Sequence, residues 1–235
     1  MTREYVAHTS AKVVQIGNIT HRITVNDRAA TRATIFRRIT AAGFPAIERS
    51  EWTARKVEAE LDSDWDYSMI SIHHAGRAFI CDPGALQMKD VEAMHLKQNY
   101  GDVGYHFGID CSGFIFEGRD IRFKGSHMLD FNTGAIGIVL LENLATVEEG
   151  GDIYAKVRTG VRDSVGYDAT RAIPARQLDA TLALIQALKS VFNISVLGAH
   201  REFPFQGNKI CPGNVGLELV KVLRTKMNFL APPTS

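Results

Sequence analysis

The sequence predicts an α/β fold in which helices flank a central mixed β-sheet. Short apolar runs typical of buried strands alternate with longer segments of helical periodicity. The most apolar run, Ala135–Leu141, has the length and composition of a central strand. The chain has 235 residues and is 45% hydrophobic, which is enough apolar material for one large domain.

The first 50 residues are interpreted as a small N-terminal extension. Two weakly alternating stretches flank Gly17–Asn18 and predict a short hairpin over residues 11–26. A helix follows Asn26–Asp27, with Gly43 as its C-cap. We expect this extension to pack on the main domain rather than to serve in targeting.

Residues 51–235 form the main domain. A buried strand is expected at Ser68–His73 and a helix over residues 85–98. Two further strands, Gly104–Ile109 and Phe114–Glu117, are separated by a turn and predict a hairpin.

The second half of the main domain begins with a polar segment. Residues 143–171 are irregular and predict a long insertion loop, a kind of loop that is usually functional or mobile. Pro174 then begins an amphipathic helix, because proline fits the first helical turn. A short strand is expected at Ser195–Gly198, and a terminal helix follows it over residues 217–227.

Charge and hydropathy argue against two classes of partner. The formal net charge is +1, which provides no global field for nucleic acid or an anionic membrane. No apolar run reaches roughly 18 residues, so no membrane insertion is expected. Met1–Tyr5 leads into polar sequence, which predicts cytoplasmic synthesis without a signal peptide. Any action on a cell wall would then follow secretion or lysis.

The cysteines Cys81, Cys111 and Cys211 are widely spaced and odd in number. They predict neither a disulfide framework nor a C-x-x-C zinc motif. Folding in a reducing compartment is the simplest interpretation, and Cys81 and Cys111 are expected to have no role.

The functional hypothesis depends on the segment Gly198–Gly213, which contains His200 and Cys211. Imidazole and thiolate are ligands that zinc takes readily, and a catalytic zinc site has three protein ligands and one open position. His73, at the end of a predicted strand, is the best third ligand. The adjacent His74 points to the opposite face of that strand, so it should not bind the same ion.

Five segments follow one another in an order that characterises a known family. They are Ile70–Gly76, Asp102–Phe107, Gly113–Arg119, Gly125–Ile138 and Gly198–Gly213. Together they resemble the zinc-dependent N-acetylmuramoyl-L-alanine amidases, a superfamily that includes phage amidase-type lysozymes and peptidoglycan recognition proteins. The resemblance covers the chain from about residue 51 onward and implies a peptidoglycan-recognition-protein-like amidase fold.

The resemblance implies hydrolysis of the amide between N-acetylmuramic acid and L-alanine in bacterial peptidoglycan. It implies one Zn²⁺ bound by His73, His200 and Cys211, with water in the fourth position. By the same resemblance, two residues are catalytic. Tyr105 would hydrogen-bond the water or the developing oxyanion, and Lys209 would place a positive charge beside that oxyanion.

Four further residues are assigned to the substrate-binding groove: His127, Arg119, His74 and Asn132. His127 could instead support a metal ligand or be a plain loop residue. Arg119 could pair with a peptide carboxylate or with Glu117. Packing is the alternative for His74.

Several functions remain open. A non-catalytic peptidoglycan-binding module would share the fold, but here all three ligand positions are filled. A cytosolic muropeptide-recycling amidase would, by the resemblance, carry Asp in place of Cys211. A copper site also uses two histidines and a cysteine, but leaves Lys209 unexplained. A lytic enzyme would be a phage endolysin or an injected toxin effector, and an effector would imply a cognate immunity protein.

Two departures from the family pattern concern the insertion loop 143–171 and the span between His200 and Cys211. Both are longer than the family usually has. Substrate preference is therefore not fixed by the resemblance.

Overall fold

The computed structural model describes residues 9–16, 19–76, 79–146, 149 and 173–233, and side chains from residue 28 onward. Its strands are β1 (Thr9–Ile16), β2 (Ile19–Asn26), β3 (Ala46–Ile47), β4 (Met69–His74), β5 (Phe107–Ile109), β6 (Ile115–Glu117), β7 (Ala135–Leu140) and β8 (Val196–Ala199). Its α-helices in the described ranges are α1 (Asp27–Ala41), α2 (Gly84–Lys97), α3 (Ala175–Lys189) and α4 (Gly213–Met227).

The main sheet has the strand order β3-β6-β5-β7-β4-β8. All neighbouring pairs are parallel except β5 and β6, which form the predicted antiparallel hairpin. The predicted mixed sheet with flanking helices is therefore confirmed. Strand β7 lies between β4 and β5 and is buried along its whole length, as its continuous apolar sequence predicts.

The two faces of the sheet have different neighbours. On one face, Ile70 and Ile72 of β4 join the largest hydrophobic cluster with residues of α1, α3 and α4. Ser71 and His73 alternate with them and therefore point to the other face. Helix α2 covers part of that second face through residues such as Met88, which packs in a cluster with Val139 of β7. The part of this second face that lies over β4 is polar and includes His73, one of the predicted metal ligands.

The N-terminal segment contains the predicted hairpin and helix. Strands β1 and β2 pair as a separate two-stranded antiparallel sheet. Helix α1 buries Ile35 and Ile39 completely in the main core, and Gly43 has the positive φ of +85° expected at a helix end. Strand β3 pairs with β6 in the main sheet. Helix α1 and strand β3 therefore pack on the main domain, while a boundary at residue 50 stays a prediction.

The first strand of the hairpin is shorter than predicted. It begins at Phe107 rather than Gly104, because Gly104 N–H donates to the ring Nδ1 of His95, 2.8 Å away, instead of joining the sheet. The helices predicted near residues 85, 174 and 217 are confirmed.

Most of the predicted insertion loop, residues 147, 148 and 150–171, lies outside the described residues. In the described part of the chain, none of the helices combines the length and apolar character needed to span a bilayer.

A disulfide joins Cys81 and Cys111, whose Cα atoms are 5.5 Å apart. The prediction that these cysteines have no role was therefore wrong. Strands β4 and β5 both run parallel to β7, so their carboxyl ends meet at one edge of the sheet. Cys81 follows β4 and Cys111 follows β5, and spacing along the sequence does not reveal that meeting point.

Candidate metal centre

Three predicted ligands meet in space. One ligand atom from each of His73, His200 and Cys211 lies within 4.8 Å of the others. His73 belongs to β4, and His200 begins the 3₁₀ turn His200–Glu202 directly after β8. Because β4 and β8 are parallel neighbours, both histidines emerge at the same end of the sheet. Cys211 is brought to them by the segment that leads into α4.

The hydrogen bonds identify which nitrogen each histidine presents. His73 Nδ1 lies 3.6 Å from Cys211 Sγ. His200 Nε2 donates to the side-chain oxygen of Gln206 over 2.9 Å, whereas its Nδ1 is buried and has no hydrogen-bond partner among the residues that the structure describes. A buried polar atom without a partner is costly, and a cation would satisfy it. Two imidazole nitrogens and one thiolate fit Zn²⁺ as a donor set.

The charge states of the ligands also suit a cation. Burial lowers the pKa of His200 to about 4, and burial lowers the pKa of His73 well below its ordinary value. Both imidazoles are therefore neutral near pH 7, with a lone pair available. Burial raises the pKa of the Cys211 thiol to about 12, so the thiol would release its proton only on binding a metal.

His73 is held by two groups behind it. Its Nε2 lies 3.0 Å from Ser71 Oγ and 3.1 Å from His127 Nδ1, and because Nδ1 faces Cys211, the single proton on Nε2 is shared between these two acceptors. Such support fixes the tautomer and orientation of a metal-binding histidine. The ring of His127 packs on Gly137, where a Cβ atom would lie only 2.6 Å from His127 Cδ2. Glycine at 137 is therefore required for this arrangement.

The two predicted catalytic residues lie near the ligands. The ring centroid of Tyr105 is 4.8 Å from that of His73. Burial, with a smaller contribution from Cys211, raises the pKa of Tyr105 above its ordinary value, so the phenol keeps its proton and can act as a hydrogen-bond donor. Lys209 is exposed on the ligand segment, and its charge contributes to the lowered pKa of His200. Catalysis by either residue stays a prediction.

Arg119, predicted from the sequence to lie in the substrate groove, is held inside the fold. It is buried, and its guanidinium donates to the carbonyls of Val103, Tyr100 and Lys124 over 2.7–2.8 Å. The alternative partner, Glu117, instead binds Arg32. The pairing with Glu117 is therefore corrected: Arg119 stabilises the chain around the hairpin, and its burial argues against a direct contact with substrate.

The other three residues assigned to the groove also contact groups of the protein itself. His74 is buried, and its Nδ1 accepts a hydrogen bond from Leu144 N–H over 3.1 Å, which agrees with a packing role. Asn132 uses its side-chain oxygen to accept from the backbone N–H groups of His127 and Met128, so it shapes its own turn. His127 is buried behind His73 and lies within hydrogen-bond distance of its Nε2, which agrees with the alternative that it supports a metal ligand.

Sequence reasoning missed several residues around the centre. Ser71 precedes His73 by two positions, and strand periodicity alone could have placed it on the same face. Gln206 and Glu149 had no comparable signal. The carboxylate of Glu149 accepts from Arg201 and from Asn214 N–H, each over 2.6 Å, and so ties the ligand segment to the start of α4.

Comparison with known proteins connects this geometry to a family. Residues 63–214 match the Amidase_2 family, described as N-acetylmuramoyl-L-alanine amidase. The chain is 30% identical over 145 residues to the endolysin of Klebsiella phage KP32, which covers 62% of this chain and 80% of the endolysin. It is 31% identical over 104 residues to peptidoglycan-recognition protein LB of Drosophila melanogaster, covering 43% of this chain and 45% of that protein.

Solved structures show the same fold. Drosophila peptidoglycan recognition protein LB superposes with a TM-score of 0.59 at 24% identity, covering 81% of this chain and 98% of that chain. The N-acetylmuramoyl-L-alanine amidase LysC of Clostridium intestinale superposes with a TM-score of 0.58 at 21% identity, covering 79% of this chain and 98% of that chain. The peptidoglycan-recognition-protein-like fold predicted above is thereby confirmed. The chain belongs to the N-acetylmuramoyl-L-alanine amidase family.

Proposed function

We propose that this protein hydrolyses the amide bond between N-acetylmuramic acid and L-alanine in bacterial peptidoglycan, with one Zn²⁺ ion bound by His73, His200 and Cys211. The observation that carries the proposal is the complete set of three ligand atoms, facing one another within 4.8 Å beside Tyr105. A protein that only binds peptidoglycan has no need for such a set.

Amide hydrolysis requires a nucleophile at neutral pH and stabilisation of the negative charge that develops on the carbonyl oxygen. Bound zinc supplies a Lewis acid and lowers the pKa of a coordinated water to about 7. Tyr105 keeps its proton at neutral pH and so donates a hydrogen bond to the developing oxyanion. Lys209, exposed on the segment between two ligands, brings a positive charge to the same region.

The second candidate function is peptidoglycan binding without hydrolysis. The similarity to peptidoglycan recognition proteins supports it, and one solved neighbour is a recognition-protein complex that binds tracheal cytotoxin. The same fold would serve both functions, so the fold does not distinguish them. The ligand set favours hydrolysis.

We further propose a lytic role for the hydrolysis, acting on the cell wall after secretion or lysis. The similarity to a phage endolysin over 80% of its length supports this role. An injected toxin effector would act on the same bond, and in that case a cognate immunity protein should inhibit the enzyme.

The decisive experiment incubates the protein with intact peptidoglycan sacculi, with and without a zinc chelator, and identifies the soluble products by mass spectrometry. We expect stem peptides with a free L-alanine amino terminus, lost with chelator and restored by zinc. If the protein sediments with the sacculi and releases nothing, peptidoglycan binding is the better proposal. Products cleaved inside the stem peptide would agree with a zinc hydrolase but would show that it cleaves a different bond.

A further inference from the structure

Gln206 lies in the segment between two proposed metal ligands and is almost completely buried, at 5% exposure. Its side-chain oxygen accepts from His200 Nε2 over 2.9 Å and from Leu129 N–H over 3.2 Å. Its side-chain nitrogen donates to the carbonyls of Leu129, over 2.9 Å, and Pro204, over 2.8 Å. A primary amide has two donors and two acceptor positions, so this amide is fully satisfied.

These contacts allow only one orientation of the amide. The carbonyls of Leu129 and Pro204 can only accept, so they must face the amide nitrogen. The oxygen of Gln206 therefore faces His200, whose Nε2 must carry the proton to donate. In a neutral imidazole the other nitrogen, Nδ1, then has a free lone pair. That nitrogen is the buried atom of His200 for which the described part of the chain offers no hydrogen-bond partner.

The backbone around Gln206 is unusual. Phe205 has a φ of +63° and Gly207 a φ of +60°, so both neighbours lie in the left-handed region. This conformation is disfavoured for phenylalanine and persists where surrounding contacts determine it. The four hydrogen bonds of Gln206 are such contacts, and the two with Leu129 join the ligand segment to the loop that contains that residue.

From these observations the structure assigns Gln206 as a positioning residue for the metal centre: it fixes the tautomer and orientation of His200 so that Nδ1 is presented to Zn²⁺. The assignment rests on the metal centre of the proposed function but not on the identity of the bond that is cleaved. Because Gln206 touches a ligand and not the substrate, its effect should appear in metal binding itself.

The test measures the Zn²⁺ affinity of purified protein by competition with a chromogenic chelator, and thermal unfolding of the zinc-free form. Gln206→Leu keeps the size of the side chain and removes all four hydrogen bonds. We expect its Zn²⁺ affinity to fall about 10- to 100-fold, the usual effect of removing such a support. The absorption spectrum of the Co²⁺-substituted protein should change as well, because the ligand geometry is altered.

Gln177→Leu is the matched control, because Gln177 is also fully buried and also donates to a backbone carbonyl, that of Ile109, over 2.8 Å. It should lower thermal stability and leave Zn²⁺ affinity unchanged. Gln206→Glu keeps the acceptor toward His200 and, when protonated, one donor for the carbonyls of Leu129 and Pro204, so it should retain more Zn²⁺ affinity than Gln206→Leu. If Gln206→Leu does not fold, the Zn²⁺ affinity of Gln206→Glu still tests whether the acceptor toward His200 supports metal binding.

Each of three results would overturn the assignment. Gln206→Leu could bind Zn²⁺ as tightly as the wild type, or Gln177→Leu could lose as much Zn²⁺ affinity as Gln206→Leu. Gln206→Glu could also lose as much affinity as is expected for Gln206→Leu. A wild-type protein that binds no zinc would overturn the assignment as well. By contrast, tight zinc binding without amidase products would reject the proposed function and leave the role of Gln206 intact.

Discussion

His73 Nδ1 and Cys211 Sγ lie 3.6 Å apart, although 138 positions separate the two residues in sequence. The thiol approaches a neutral imidazole nitrogen that carries no proton on that side. This contact connects the central sheet to the segment that precedes α4. It is therefore the part of the candidate centre that depends most on the complete fold.

We predict that Cys211→Ala abolishes measurable Zn²⁺ binding. Removing a ligand should lower the Zn²⁺ affinity by more than the roughly 10- to 100-fold that follows from changing a supporting residue. Zinc content after dialysis checks this. The double variant Cys81→Ala/Cys111→Ala is the control and should keep its zinc. Removing a disulfide that closes a 30-residue separation should lower the free energy of unfolding by about 3–4 kcal/mol. Full zinc occupancy in Cys211→Ala would exclude Cys211 as a ligand.

Tyr105→Phe should retain zinc but lower kcat on peptidoglycan fragments by about 100- to 1,000-fold, as expected for the loss of one donor to the oxyanion. The ring that packs beside His73 is preserved, so stability should change little. Steady-state kinetics with zinc content measured on the same samples checks the prediction. An unchanged kcat would remove Tyr105 from the proposed chemistry.

Gly137→Ala should destabilise the protein by about 1–3 kcal/mol, because the new Cβ would lie 2.6 Å from His127 Cδ2. Displacement of His127 would also disturb His73, so Zn²⁺ affinity should fall. A double-mutant cycle with His127→Ala provides the control, since removing the ring removes the clash. The two stability changes should then be strongly non-additive in urea unfolding. Additive changes would show that the alanine acts elsewhere.

Arg119→Met should lower the free energy of unfolding by about 3 kcal/mol or more, because it leaves buried backbone carbonyls without a donor. The kcat/KM of the folded variant should equal that of the wild type. Arg122→Met, which removes a partly exposed ion pair with Asp120, should cost less than about 1 kcal/mol. A selective loss of kcat/KM in Arg119→Met would instead support a role for Arg119 in substrate binding.

The zinc-free protein should lose stability as the pH falls from 6.5 to 4. Burial lowers the pKa of His95 and of His106 to about 4, from 6.5 in an unfolded chain. In this window the unfolded state binds more protons than the folded state, so the free energy of unfolding decreases with decreasing pH. Each histidine contributes up to about 1.4 kcal/mol per pH unit.

Urea unfolding across this pH range checks the prediction. In the variant His95→Gln, which keeps an acceptor for Gly104 N–H, the slope should be smaller. A pH dependence identical to that of the wild type would contradict the contribution of His95.

Strand periodicity and the family resemblance were sufficient to predict that His73, His200 and Cys211 lie together and that β7 is a central strand. Alternation along β4 assigns His73 and His74 to opposite faces of the sheet, and the folded chain places them accordingly. The central position of β7 followed from its continuous apolar sequence.

What could not be predicted is the direction of polar side chains in loops. The motifs show that Arg119 and Asn132 fit the family pattern. They do not show that both side chains bind backbone groups of other residues in the chain. The Cys81–Cys111 disulfide and the two bonds between Gln206 and Leu129 join segments that are distant in sequence, so only the folded chain brings them together.

The pairing of β3 with β6 has a consequence for handling the protein. The residues that match the family begin at 63, whereas β3 ends at Ile47 and α1 lies before it. A chain trimmed to the matched residues would leave β6 as an unprotected sheet edge beside newly uncovered core residues. Exposed edges of this kind pair with other molecules, so such a fragment is expected to aggregate even with all three ligands present.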